Sequence, residues 1–331
     1  MTLYNNPITI FLFLSLSFLP SMQNKLTPDY YKKTCPNFLE TVRKIVKEKQ
    51  HNTPSTAAAT LRLLFHDCMV GGCDASILVT SNAYNTAERD HAVNLQLSGD
   101  GFDAVLRVKN VLELECPNVV SCADILAAAA SELVANSGGP TFTVQFGRKD
   151  SLESKISSSE NQFPLPNMTM SQVIPLFAKK GFSVQEMVAL IGAHTIGMSH
   201  CDQFVHRLFR FSKTSETDPA YNPEYAAGLR KLCENYTKDP TMAAYNDVIT
   251  PVKFDNMYFK NLRRGLGLLA TDTALFTDPR TKPFVEKYAD DEAKFFQDFA
   301  LAIEKLSALD VKTGKDGEVR NRCDAFNALY G

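Results

Sequence analysis

The sequence lacks an excess of charge of either sign: 35 basic and 37 acidic residues leave a formal net charge of −2. A strongly basic footprint for nucleic acid is therefore excluded. It also lacks a long apolar run. The longest, ITIFLFLSLSFL at 8–19, is too short to span a bilayer. No CxxC pair occurs and the histidines do not fall near cysteines at ligand spacing, which argues against a zinc site. Strand alternation is nearly absent, TFTVQF at 141–146 being the one clear instance, and no repeat or low-complexity tract is visible. What is present suits one large core or two packed halves: 331 residues, 44% hydrophobic and 22% charged.

The run at 8–19 has the length and position of a signal-peptide core, with Pro20 and Ser21 after it, so residues 1–22 read as a leader cleaved near 21–24. Export predicts oxidised cysteines. There are eight, Cys35, Cys68, Cys73, Cys116, Cys122, Cys201, Cys233 and Cys323, an even number that fits full pairing but does not choose a connectivity. Asn167 in NMT and Asn235 in NYT are glycosylation sequons.

Helical periodicity dominates, giving a mainly α class. Helices are predicted over 38–50, 55–67, 103–115, 121–135, 170–179, 183–193, 198–211, 223–236 and 292–309, with a strand at 141–146. Loops rich in Gly, Asn, Asp and Pro fill 69–101, 147–168 and 237–255. A boundary near 147–168 would divide a half holding His66 from a half holding His194.

The stretch ATLRLLFHDC at 59–68 carries the strongest chemical signal. On a helix, spacings of three and four residues place Arg62, Phe65 and His66 on one face, so an apolar helix presents a cation and an imidazole together. The pair alone would also suit an arginine snorkelling to solvent and a hydrogen-bonded core histidine. His194, in MVALIGAHTIG at 187–197, ends a second apolar helical stretch, where a neutral imidazole can be held as a metal ligand.

Arg62-x-x-Phe65-His66-Asp67-Cys68, then Gly72-Cys73-Asp74-Ala75-Ser76, VVSCADILA at 119–127, GRKDS at 147–151 and GAHTIG at 192–197 together resemble the secreted plant (class III) haem peroxidases, from about residue 23 to Cys323. The resemblance implies a mainly α, two-domain fold with very little β. One haem b would lie between a distal half, about 23–150, and a proximal half, about 151–331. The implied activity is reduction of hydrogen peroxide with oxidation of small phenolic or aromatic donors. His66 is implied as the distal acid–base catalyst, Arg62 as the group stabilising developing charge, Asn94 as the residue orienting His66, and Phe65 as a haem contact. On the other side, His194 is implied as the iron ligand with Asp272 accepting its N–H.

Two calcium ions are also implied. Asp67, Val70, Gly72, Asp74 and Ser76 would bind the first; Thr195, Asp247, Thr250, Lys253 and Asp255 the second, all through hard oxygen atoms. The family pattern pairs Cys35 with Cys116, Cys68 with Cys73, Cys122 with Cys323, and Cys201 with Cys233. Pro164, in FPLP, matches a position whose carbonyl contacts donors. A monomer with no membrane or nucleic-acid partner is expected, delivered to the cell wall or apoplast rather than the vacuole, since only eight residues follow Cys323. The sequence departs from the family pattern at Met69 and Gly71, and it has no tryptophan although one is usual near Phe142. An intracellular peroxidase would share both histidines but not the leader and eight cysteines. A calcium- or wall-binding protein without turnover would not need Arg62, His66 and His194 together.

Overall fold

The computed structural model describes residues 26–327; the expected leader at 1–22 and the last four residues lie outside the described residues. Eleven α-helices form the described part: α1 (Phe38–Asn52), α2 (Thr56–Met69), α3 (Gly99–Glu115), α4 (Cys122–Asn136), α5 (Met170–Lys179), α6 (Val184–Ile191), α7 (Pro223–Leu232), α8 (Met257–Leu262), α9 (Ala270–Thr277), α10 (Lys282–Asp290) and α11 (Glu292–Ser307). The only sheet among the described residues is a pair of three-residue strands, β1 (Met198–His200) and β2 (Ala243–Tyr245). They are antiparallel, with Ser199 opposite Ala244. None of these helices is long and apolar enough to cross a membrane.

Side-chain caps explain several helix starts. Ser98 and Ser121 accept backbone N–H groups of α3 and α4, and Ser183 with Glu186 forms a reciprocal capping box on α6. Helices α1 to α4 pack on one another, while α6 packs along α11 and α10 packs on α8, α9 and α11. One continuous cluster of buried apolar side chains runs from Tyr31 to Cys323, so both halves share a core. A smaller cluster around Phe204, Leu208, Tyr221 and Leu268 anchors the segment between β1 and α9.

Two expected elements are corrected. Residues 198–211 are not a helix: β1 is followed by two single 3₁₀ turns at Cys201–Gln203 and Val205–Arg207. Tertiary bonds outweigh local propensity there. Cys201 is joined to Cys233 and donates its N–H to Met242, while the buried Arg207 guanidinium binds Asp218, Thr273 and the carbonyls of Gly267 and Leu268. The alternating stretch 141–146 is not a strand either, because it lacks a partner strand. Only Phe146 bridges, to Thr27. The structure also contains three short helices that periodicity did not reveal, α8, α9 and α10.

The disulfides are Cys35–Cys116, Cys68–Cys73, Cys122–Cys323 and Cys201–Cys233, the pairs that the family pattern implies. Cys122–Cys323 links α4 to the C-terminal segment across 201 residues.

Candidate active site

Helix α2 carries Arg62, Phe65 and His66 as its spacing requires, with His66 buried in the last turn. Asn94 lies in a short 3₁₀ turn and is itself buried. Its amide nitrogen donates to the Glu88 carbonyl at 2.7 Å and to Ser159 Oγ at 3.3 Å, which fixes its oxygen toward His66. The Nδ1 of His66 meets that oxygen at 2.8 Å, and an amide oxygen can only accept, so the proton is on Nδ1. Nε2 is therefore the basic nitrogen. Arg62 Nε donates to it at 3.3 Å. Burial, and then the charge of Arg62, lowers the His66 pKa to about 3, so the ring is neutral near pH 7. Phe163 stacks on the imidazole with centroids 4.5 Å apart. Pro164 follows directly in the chain and is half-buried.

The second histidine is set up in the same way from a different part of the chain. Helix α6 ends at Ile191 and passes into a 3₁₀ turn, Gly192–Thr195, that holds His194. The chain approaches α8 and α11 so closely here that a β-carbon on Gly192 would lie 2.5 Å from Phe295 and 2.8 Å from Phe259. Only glycine fits without moving a ring. His194 Nδ1 lies 2.9 Å from Asp272 Oδ1, which also accepts the Tyr258 hydroxyl at 2.8 Å. The other Asp272 oxygen accepts the Leu269 N–H at 2.9 Å, so Asp272 sits in the first turn of α9 rather than in an isolated turn. Burial alone would raise its pKa, but His194 and these hydrogen bonds hold it below the usual carboxylate range. No hydrogen bond engages Nε2 of His194 among the described residues.

Two further observations bear on whether a cofactor fits. Arg62 is open to solvent, yet surrounding protein desolvates the guanidinium enough to lower its pKa. His194, at the end of a buried helix, keeps 35% of its side chain exposed, and Phe65 and Ala193 are half-buried beside the core. The Nε2 of His194, without a hydrogen-bond partner among the described residues, matches the donor set of a histidine-ligated haem.

Two clusters of oxygen ligands adjoin the histidines in sequence. In the first, Asp67, Asp74 and Ser76 are buried; Asp67 Oδ2 accepts the Ala75 N–H at 2.9 Å and Asp74 Oδ1 the Ser76 N–H at 3.0 Å. Asp67 Oδ1 is buried without a hydrogen-bond partner. Ser76 donates to Glu88 at 2.9 Å, and Lys312 forms an ion pair with Asp74. Burial raises the Asp67 pKa well above its ordinary value, with Asp74 adding to the shift, and burial pushes Glu88 up to about 8. Val70 and Gly72 lie in the same buried loop. In the second cluster, Thr195 and Thr250 hydroxyls lie 3.4 and 3.1 Å from one Asp255 oxygen, Thr250 bonds Asp247 at 3.2 Å, and Thr195 reaches the Lys253 carbonyl at 3.5 Å. Neither cluster brings three acidic, histidine or cysteine side chains to metal-ligand distance, so both depend on hydroxyl and carbonyl oxygens.

Asn167 and Asn235 are exposed, away from these clusters. Sequence reasoning missed Phe163, Glu88, Ser159, Tyr258 and Lys312. Phe163 is the one with a nearby signal, its neighbour Pro164; the others reach the site from segments with no motif of their own.

Comparison with known proteins agrees with this arrangement. A family model described as peroxidase matches residues 42–291. The chain is 57% identical over 304 residues to Peroxidase 65 of Arabidopsis thaliana, covering 92% of this chain and 90% of that relative. It is 55% identical to Peroxidase 63 over 315 residues (95% and 94% covered) and 52% identical to Peroxidase 31 over 316 (96% and 98%), both also of Arabidopsis thaliana.

Proposed function

Since the chain belongs to the class III plant haem peroxidases and acts on hydrogen peroxide, we propose that His66 and Arg62 cleave the O–O bond while His194 holds the haem. One observation carries this reading: each histidine commits Nδ1 to a fixed side-chain oxygen, at 2.8 and 2.9 Å, and so directs Nε2 toward chemistry. When bound, haem supplies the redox-active iron at which peroxide is reduced.

Neutral His66 takes a proton at Nε2 from the near peroxide oxygen and returns it to the departing oxygen, so that water leaves. Asn94 holds the ring in the tautomer that this transfer needs. The departing oxygen carries developing negative charge, and the fixed guanidinium of Arg62 stabilises it without itself titrating. Asp272 accepts the N–H of His194, the residue that would hold the haem, and Tyr258 in turn fixes Asp272. A more anionic imidazole is the better donor to a high-valent metal. Small phenolic or aromatic molecules are the proposed electron donors, approaching near Pro164, whose neighbour Phe163 lies against His66.

Calcium is proposed at both oxygen clusters. The buried, unpartnered Asp67 Oδ1 supports the distal site, because such an atom suits a cation better than an empty interior. Convergence of two threonine hydroxyls and two carboxylates supports the proximal one. Secretion as a monomer, with the 1–22 leader removed and glycans at the exposed Asn167 and Asn235, completes the reading.

The test is His66→Ala in the haem-loaded protein. Peroxide-dependent change of the haem absorbance should slow by a factor on the order of 10² or more, the usual scale for a positioned acid–base group. Wild-type stopped-flow rates in that variant would remove His66 from this role.

A further inference from the structure

The segment after α11 lies across the loop that follows His66. The N–H of Cys73 donates to the Leu309 carbonyl at 3.0 Å. Gly72, at φ +110°, sits so close to the Asp310 backbone that any side chain would collide with its carbonyl. Buried Arg320 donates to the carbonyls of Ala75 at 2.7 Å and Asp74 at 3.3 Å, and also to that of Cys323. Lys312 is pinned by its own backbone, whose carbonyl accepts the N–H of Lys149 at 2.8 Å, and its ammonium meets the second oxygen of Asp74.

Charge balance gives this contact a meaning. Asp67, Asp74 and Glu88 are 1%, 2% and 4% exposed, and buried carboxylates require compensating cations. A divalent ion and one ammonium together offset the buried charge of this group. Without the ion, Lys312 is the cation left in contact with the group. The backbone tether of Lys312 keeps its ammonium within reach of Asp74.

We propose that Lys312 is a tethered cation that shares Asp74 with the distal calcium ion, weakening calcium binding there while keeping the emptied loop folded. This rests on the calcium reading above. Two positive groups on one carboxylate repel in the loaded state. In the emptied state the same ammonium offsets the buried charge of Asp74. Both effects favour release, so replacing Lys312 by a neutral residue should tighten the distal site and destabilise the metal-free protein.

Lys312→Met and the charge-retaining Lys312→Arg would be titrated as full-length protein in chelator-buffered calcium, with bound metal counted by elemental analysis. Thermal unfolding would be followed with calcium and with chelator. In Lys312→Met, one of the two calcium equivalents should bind tighter by a factor on the order of ten, and the chelated protein should lose more Tm than the loaded one. The other equivalent serves as internal control. Lys312→Arg should match wild type. An unchanged or weaker distal midpoint in Lys312→Met would overturn the proposal while leaving calcium in place. Wild-type protein containing no calcium would instead overturn the calcium reading beneath it. Should Lys312→Met fail to fold even with calcium, Lys312→Gln, which keeps a hydrogen-bond donor for Asp74 but no charge, decides by the same midpoint.

Discussion

His66 and Asp272 show how a single buried group sets a chemical property through its neighbours. With its pKa lowered to about 3 by burial and Arg62, His66 is a base at Nε2 at any pH well above that value. The peroxide step should therefore hold its rate from neutral pH to about 4 and decline toward 3, as read by stopped-flow absorbance across that range. A decline centred near the ordinary histidine value of about 6.5 would contradict the buried, neutral ring. The stability consequence has a definite sign. Between about pH 6.5 and 3 the unfolded chain binds a proton that folded His66 does not, so stability falls as pH falls through that window, by up to about 1.4 kcal/mol per unit for this group. On the other side, Asp272→Asn keeps size but removes charge from the acceptor of His194. The ferric/ferrous potential should rise and turnover should fall with haem still bound; a redox titration giving an unchanged or lower potential would refute the pairing. Arg62, Phe65 and His66 stood out because they lie on one helical face, whereas Asn94 and Asp272 were named only through the resemblance to the family. Phe163, Tyr258 and Lys312 were not legible, since each reaches its partner from a distant segment and contacts of that kind leave no local pattern.

At the scale of elements, legibility followed length for the long helices, while the eight-residue α6 was marked by its Ser183–Glu186 capping box. Helices α1, α2, α4 and α11 were visible because several turns of apolar periodicity outweigh chance, whereas α8, α9 and α10 span only six to nine residues. The start of α3 was placed late because Gly99 and Gly101 conceal it; Gly101 is required by close approach to the Ala59 carbonyl on α2. The segment 198–211 read as a helix on composition, yet its conformation is decided by the buried Arg207, which no window of local sequence can register. Where close approach positions a catalytic element, the cost of crowding is testable. Gly192→Ala would force the α6 terminus away from Phe259 and Phe295. It should cost about 1–3 kcal/mol, lower Tm by several degrees, and perturb the haem spectrum because His194 is two residues on. Wild-type Tm and spectrum would show that the two rings yield freely.

For the whole molecule, both proposed calcium sites are welded to the histidines through adjacent residues, Asp67 after His66 and Thr195 after His194. Prolonged chelation should therefore lower thermal stability, reduce activity and shift the haem spectrum together rather than one at a time. Fully active protein that is free of calcium by elemental analysis would refute this. The mainly α class could be read in advance. The shared core could not, because it depends on which faces of eleven helices meet.

The closure of Cys122 with Cys323, together with Arg320 on the carbonyls of the loop after His66, bears on how the protein is made. Arg62, His66 and Asn94 are synthesised early, whereas Arg320 and Cys323, which hold the loop after His66 and α4, follow long after them in the sequence. A chain cut before Arg320 therefore carries the side chains proposed to cleave peroxide without these contacts on their loop. The frame of the loop after His66 is thus closed by contacts that can form only after most of the helices have been made.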